Sequence, residues 1–143
     1  RDTPTMAETS VLFVCVSNAG KSVMAAGLMR HLSAPNIHIA SAGTHAKTAV
    51  NTLSAQVLAE VGVDISGHQP TQLTDQMLDD ADLVVIVGSQ AHLDNHPGTR
   101  IQRWDTDEPS LRGIDGIQRM RIIRDDINTR VQALADELSS QSS

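Results

Sequence analysis

Apolar positions along the chain fall into two kinds of run. Val11-Leu12-Phe13-Val14 and Leu83-Val84-Val85-Ile86-Val87 are short, continuous and rich in β-branched residues, whereas Met24-Ala25-Ala26-Gly27-Leu28-Met29 opens a longer stretch with helical spacing. The pattern predicts strands over 10–15, 37–40, 83–87 and 100–103, and helices over 21–33, 48–61, 74–80 and 115–138. Continuous apolar strands alternating with helices imply a parallel sheet covered on both faces and joined by right-handed crossovers. The expected fold class is therefore α/β, a single-domain open parallel four-stranded sheet. No internal repeat or low-complexity linker interrupts it. Ligands in such sheets bind beyond the carboxyl ends of the strands, so the residues following positions 15 and 103 are the first place to look for chemistry.

Directly after the first strand stands Cys15-Val16-Ser17-Asn18-Ala19-Gly20-Lys21-Ser22, a small-residue loop that runs into a helix. Loop N–H groups and the positive end of the helix dipole favour an anion there, and the same field favours a sulfur anion. Cys15 is thus a candidate nucleophile, with Val16, Ser17, Asn18, Ala19, Gly20, Lys21 and Ser22 as candidate oxyanion ligands. The competing reading of a lone cysteine after an apolar strand is an inert buried residue. Asn18, Gly20, Lys21 and Ser22 favour the anion site. A second competitor is the nucleotide-binding P-loop, since Gly20-Lys21-Ser22 reproduces its end; Cys15 occupies the place of its first glycine. The third strand, moreover, runs into Gly88 with no terminal carboxylate for magnesium.

These residues resemble the low-molecular-weight protein tyrosine phosphatase superfamily and, within it, the thiol-linked arsenate reductases. The signature there is Cys-x5-Arg-Ser with Asn three residues after the cysteine, matched here by Cys15, Asn18, Lys21 and Ser22. The resemblance covers about residues 10–138 and includes Ser41-Ala42-Gly43-Thr44, Gly62-Val63-Asp64-Ile65-Ser66-Gly67-His68 and Ala81-Asp82-Leu83-Val84-Val85-Ile86-Val87. Lys21 stands in place of arginine, trading a planar bidentate fork for a compact point charge. With that change the loop resembles the actinobacterial branch that passes arsenic to mycothiol. Family members carry a catalytic Asp-Pro after the fourth strand, and the matching stretch is Asp107-Glu108-Pro109. Position favours Glu108 as the general acid and residue type favours Asp107.

The resemblance implies an arsenate-thiol (mycothiol) transferase: Cys15 attacks arsenate held in the 15–22 loop, Lys21 balances charge, and Glu108 or Asp107 protonates the departing oxygen. Asn18 would hold the loop's shape and Ser22 would donate its hydroxyl to the sulfur. Reducing arsenate by thiol chemistry takes two sulfurs, and the chain has one cysteine. Gly20 stands where many phosphatases have a second cysteine, and Gly88-Ser89-Gln90 where thioredoxin-linked reductases begin their redox pair. An external low-molecular-weight thiol is therefore the expected co-substrate, with a mycoredoxin-like small redoxin downstream and no bound cofactor. The alternatives are a phosphatase acting on a small phosphoester and an oxyanion-binding protein with little chemistry. Against the phosphatase, Ser110 follows Pro109 where an aromatic ring would stack on a phosphoaryl group.

Composition narrows the remaining classes. The chain has 143 residues, 40% of them hydrophobic, enough for one packed core. A net charge of −6, with one Trp, one Phe and no Tyr, argues against nucleic acid as a partner. No apolar run approaches the ~20 residues that cross a bilayer. The reading is a cytoplasmic protein with its domain over 6–138, residues 1–5 as a cloning remnant ahead of Met6, and a frayed tail over 139–143. No pair among the six histidines has zinc-ligand spacing backed by a cysteine or a second carboxylate, so no metal is expected. Asp79-Asp80 and Asp125-Asp126 read as solvated helix faces, and Arg119, Arg121, Arg124 and Arg130 as a mixed-charge exterior. His45 and Lys47 follow the Ser-Ala-Gly-Thr turn near the expected pocket rim, where Lys47 would help attract an anion.

Overall fold

The computed structural model describes residues 9–32 and 36–141. The order of elements is β1 (Thr9–Cys15), α1 (Lys21–His31), β2 (Ile37–Gly43), α2 (Thr52–Ala59), α3 (Asp75–Asp80), β3 (Leu83–Val87), β4 (Arg100–Trp104), a 3-10 turn (Pro109–Arg112) and α4 (Gly116–Gln141). All strand pairings are parallel in the order β2-β1-β3-β4, with Cys15 opposite Gly43 and Val14 opposite Ile86. β1 is therefore central, and the loop that leaves it emerges in the middle of the sheet's carboxyl edge. No helix among the described residues is long and apolar enough to cross a membrane.

Side-chain alternation along β1 and β3 divides the core into two layers. Val11, Phe13, Leu83, Val85 and Val87 pack with α1, α2 and α4, while Leu12, Val14 and Val84 pack with Ala42, Leu78 and Ala81 on the α3 side. α1 is buried continuously from Ser22 to Met29, which explains its run of small and apolar residues. Gly27 packs tightly there, because a Cβ would come within 3.1 Å of both the Val63 and Ile65 side chains, which would have to shift by a few tenths of an ångström. Phe13, fully buried, leans on Trp104 across the sheet with ring centroids 5.5 Å apart.

Element types follow the sequence pattern, and the boundaries depart from it for local reasons. β2 runs on to Gly43 because Ser41-Ala42-Gly43 pair with the end of β1. α2 begins only at Thr52, where Asn51 caps it by accepting from the Ser54 N–H at 3.0 Å. The residues ahead of it, expected to be helical from 48, instead lie against the loop after β1. α4 continues to Gln141, so the expected tail is helical over 139–141. Residues 1–5 and 142–143 lie outside the described residues.

Truncating Phe13 to Ala should cost about 3–5 kcal/mol of stability, the range for removing a fully buried aromatic side chain. The fluorescence of Trp104, the only tryptophan in the chain, reports the urea midpoint that checks this.

Candidate active site

The loop between β1 and α1 is shaped by what its carbonyls bond. The oxygens of Cys15, Val16, Ser17 and Ala19 accept from the N–H groups of Thr44, His45, Lys47 and Asn51 at 3.0, 2.8, 3.0 and 2.8 Å. In a planar trans peptide the N–H points opposite to the carbonyl. The amides of Val16, Ser17, Asn18 and Gly20 are thereby turned away from the 44–51 strap, toward the cavity above Cys15. Gly43 lets the loop lie this close, since a Cβ there would sit 2.6 Å from the Val16 carbonyl oxygen and 2.8 Å from the Asn18 nitrogen.

Cys15 is 8% exposed, and its Sγ lies 3.0 Å from the Ser22 Oγ. Ser22 accepts from Asn18 Nδ2 at 2.8 Å, which leaves its hydroxyl hydrogen free to point at the sulfur. Asn18 is fully buried in the left-handed region at φ 49°, where asparagine is among the few tolerated side chains. Its Oδ1 accepts from the Thr71 N–H at 2.9 Å and from His68 Nε2 at 3.1 Å. Burial lowers the His68 pKa, consistent with a neutral ring carrying its proton on Nε2. Sequence reasoning assigned Asn18 to loop shape and gave His68 and Thr71 no role. The Gly62–His68 motif was the available signal.

A cavity of about 390 Å³ opens over this loop. Its floor is Cys15 through Ser17 with Ala19, Gly20 and Lys21. One wall is Lys47, Ala49, Asn51 and Ser54, and the other is Val87 through Ala91, where Arg103 donates to the Gly88 and Ala91 carbonyls at 2.6 and 2.7 Å. Lys47 lines the cavity as expected of a rim cation, while His45 is not among the lining residues. Asn18 and Ser22 lie beneath the floor rather than in it.

Glu108 and Asp107 separate here. Glu108 lines the cavity, and its Oε1 is 3.6 Å from the Lys21 ammonium. Arg119 of α4 grips both its oxygens at 2.8 Å, and the Ser110 hydroxyl donates to Oε2, also at 2.8 Å. Asp107 is not a lining residue; Arg112 holds it bidentately at 2.7 and 3.0 Å, and its N–H donates to Asp126. The Arg119 guanidinium holds Glu108 well below the usual carboxylate range, and Arg112 lowers Asp107. Both carboxyls expected to carry a proton for the leaving oxygen are thus held ionised by arginines.

Two other expectations change for the same reason. Arg119 is a cavity residue rather than exterior, and the Arg124 side chain is only 11% exposed, donating to the Val57 carbonyl and to Glu60. Asp126 accepts from the Asp107 N–H and from Arg130 rather than facing solvent unpartnered. Among the described residues no cluster of three or more His, Cys, Asp or Glu side chains could hold a metal.

Asn18→Ala should cost about 1–3 kcal/mol for each buried group it leaves unpaired and should weaken phosphate or sulfate binding at least tenfold, read by urea unfolding and by calorimetric titration. The Glu108 pair sets a pH dependence. Because its native pKa lies below its unfolded value of about 4.3, its stabilisation is complete above that value and is lost as pH falls. The drop in urea midpoint between neutral pH and about pH 3 should be smaller in Glu108→Gln than in the parent.

A sequence comparison places the chain beside arsenate reductases and tyrosine phosphatases. A "Putative arsenate reductase" of Halobacterium salinarum is 33% identical over 135 residues, covering 89% of this chain and 91% of that protein. "Arsenate reductase 2" of Staphylococcus haemolyticus is 29% identical over 133 residues, covering 90% and 97%. Among solved structures, a thioredoxin-dependent arsenate reductase of Corynebacterium glutamicum superimposes with a TM-score of 0.77 at 31% identity over 93% of this chain, which spans 63% of that chain's length. An arginine phosphatase of Geobacillus stearothermophilus, 23% identical with a TM-score of 0.72 over 93% of this chain and 94% of that one, shares the fold. The family model for low molecular weight phosphotyrosine protein phosphatases matches residues 10–143, and with the thiol, the loop and the sheet position already described, the chain belongs to that family.

Proposed function

We propose that the protein is an arsenate reductase that works as an arsenate-thiol transferase. The observation that carries this reading is a single buried thiol at the floor of an oxyanion loop, in a cavity far larger than the oxyanion. Liquid water takes about 30 Å³ per molecule. The 390 Å³ cavity therefore holds a tetrahedral ion with ample room for a second small substrate.

Arsenate rests on the amides of Val16, Ser17, Asn18 and Gly20, with the Lys21 ammonium beside it. These groups neutralise charge as arsenic becomes five-coordinate. The Cys15 thiolate attacks in line, and Ser22 supports it by hydrogen bonding while it is the leaving group of the next step. An external thiolate then displaces Cys15 from arsenic, which regenerates the enzyme and yields an arsenic(V)–thiol adduct. Reduction to arsenite requires a second sulfur to attack that adduct's sulfur, and this chain supplies none beyond Cys15. Mycothiol is the co-substrate proposed from the Lys21-Ser22 resemblance, with a mycoredoxin-like protein downstream.

One observation favours a second reading, in which thioredoxin itself resolves the adduct. The Corynebacterium glutamicum structure that superimposes on this chain is described as thioredoxin-dependent. Arsenate consumption measured with mycothiol, with glutathione and with a thioredoxin system separates the two. Absence of consumption with every reductant, beside phosphate release from an aryl phosphate, would instead make the protein a phosphatase.

Cys15→Ser should bind arsenate and show no turnover, and arsenate or sulfate should protect the parent's Cys15 from alkylation by iodoacetamide. Reduction by the serine variant above a few per cent of the parent rate would sink the covalent mechanism.

A further inference from the structure

Among the described residues, no carboxylic acid stands ready at rest in this cavity to protonate the leaving oxygen. Glu108 is the only carboxyl among the lining residues, and donors occupy both of its oxygens: Arg119 Nη2 and the Lys21 ammonium at Oε1, and Arg119 Nε, the Ser110 hydroxyl and the Ser110 N–H at Oε2. An acid proton would have to displace one of them. The charged groups around Glu108 are Lys21 from α1, Arg119 from α4 and its neighbour Asp107, which Arg112 neutralises. The 88–91 wall contributes glycine, serine, glutamine and alanine, and no acid.

We infer that Arg119 is a specificity-determining residue: by holding Glu108 as a carboxylate that steadies Lys21, it makes the first step depend on a proton carried by the substrate. Arsenate supplies that proton. The Cys15 thiolate and the arsenate monoanion, which carries two hydroxyls, give a dianionic arsenic(V) thioester of Cys15 and water. The S–As bond forms, and the As–O bond breaks with its electron pair on the departing hydroxyl. The remaining As–OH delivers its proton to that hydroxyl, and arsenic stays in the +5 state. A dianionic phosphate monoester has no proton to give, so its leaving group must depart unassisted. This inference rests on the arsenate reading for its substrate, and on Glu108 and Arg119 for its mechanism.

The test compares hydrolysis of 4-nitrophenyl phosphate and phenyl phosphate at about pH 8, above the phosphate's second ionisation near ~6. General acid catalysis contributes roughly 10²–10⁴-fold, mostly to the poorer leaving group. The parent should favour the nitrophenyl ester by about 100-fold or more. Glu108→Gln should slow both esters alike, through loss of the Lys21 contact, and leave that ratio in place. Arg119→Met removes two of the donors on Glu108, leaving Lys21 and Ser110, so its ratio should fall below the parent's at the same pH as the pH is lowered from about 8 toward about 6.5, where a less tightly held carboxyl begins to carry a proton. A parent ratio below about tenfold that rises tenfold or more in Glu108→Gln would overturn the inference, and that comparison stands if the Arg119 variant does not fold.

With arsenate, the parent and Glu108→Gln should lose activity at high pH in parallel, following the substrate's own loss of a proton. A high-pH limb present in the parent and absent from the variant would assign the proton to Glu108. Failure of arsenate consumption with every thiol would remove the arsenate reading alone, because the ester ratio reads Glu108 independently.

Discussion

The site depends on where four carbonyls point. Backbone amides can be gathered to face an anion only if the carbonyls of the same peptides are satisfied elsewhere, and here the 44–51 strap takes those of Cys15, Val16, Ser17 and Ala19. Two side-chain choices make that geometry possible. Gly43 removes the Cβ that would collide with the loop, and Asn18 adopts the left-handed conformation that reverses the chain. The Asn18 amide is then used at both ends, donating to Ser22 under the thiol and accepting from Thr71 and His68. A segment more than fifty residues downstream is in this way tied to the hydroxyl beside the nucleophile.

The order of strands and helices was legible because each element repeats its signal. β1 and β3 are unbroken apolar runs, and α1 is too long and too regularly apolar to be a strand. What escaped the periodic pattern was decided by contacts between distant residues. The stretch 48–51 has helix-compatible composition, yet it bends at 48–49 and its end is tied to a loop some thirty residues earlier, where the Asn51 N–H donates to the Ala19 carbonyl. Within the site, Cys15 and Lys21 were legible because they sit together in one motif. Arg119 was not: on α4 it has the same one-dimensional setting as Arg121 and Arg130, and only the tertiary packing puts it against Glu108. The ion pairing of Glu108 was hidden for the same reason, since a carboxyl's protonation is set by its partners.

Charge in the molecule is arranged locally rather than globally. A chain of net charge −6 repels anions at long range, so the cavity has to reverse that sign at short range. Lys21, Lys47 and Arg119 line it against the single carboxylate of Glu108. Glu108 reduces that positive field and also fixes where one of its sources sits, because a lysine ammonium on a flexible stem needs a partner to hold its position. Lysine in place of arginine at position 21 is in this sense supported by the carboxylate across from it.

The 88–91 wall bears on the proposed thiol transfer. In the proposed thiol transfer by a chain with one cysteine, nothing is gained by moving this segment toward Cys15, and its carbonyls are tied to Arg103. Arg103 donates to carbonyls at both ends of the segment, and Gly88 takes a positive φ of 98° with the Lys21 side chain close against it, 3.2 Å from where a Cβ would lie. A side chain at position 88 would press on the lysine that faces the oxyanion. The wall therefore serves to keep Lys21 in place and the cavity open. In the proposed thiol transfer an open cavity is what the second substrate requires, since its sulfur has to reach arsenic on Cys15 from outside.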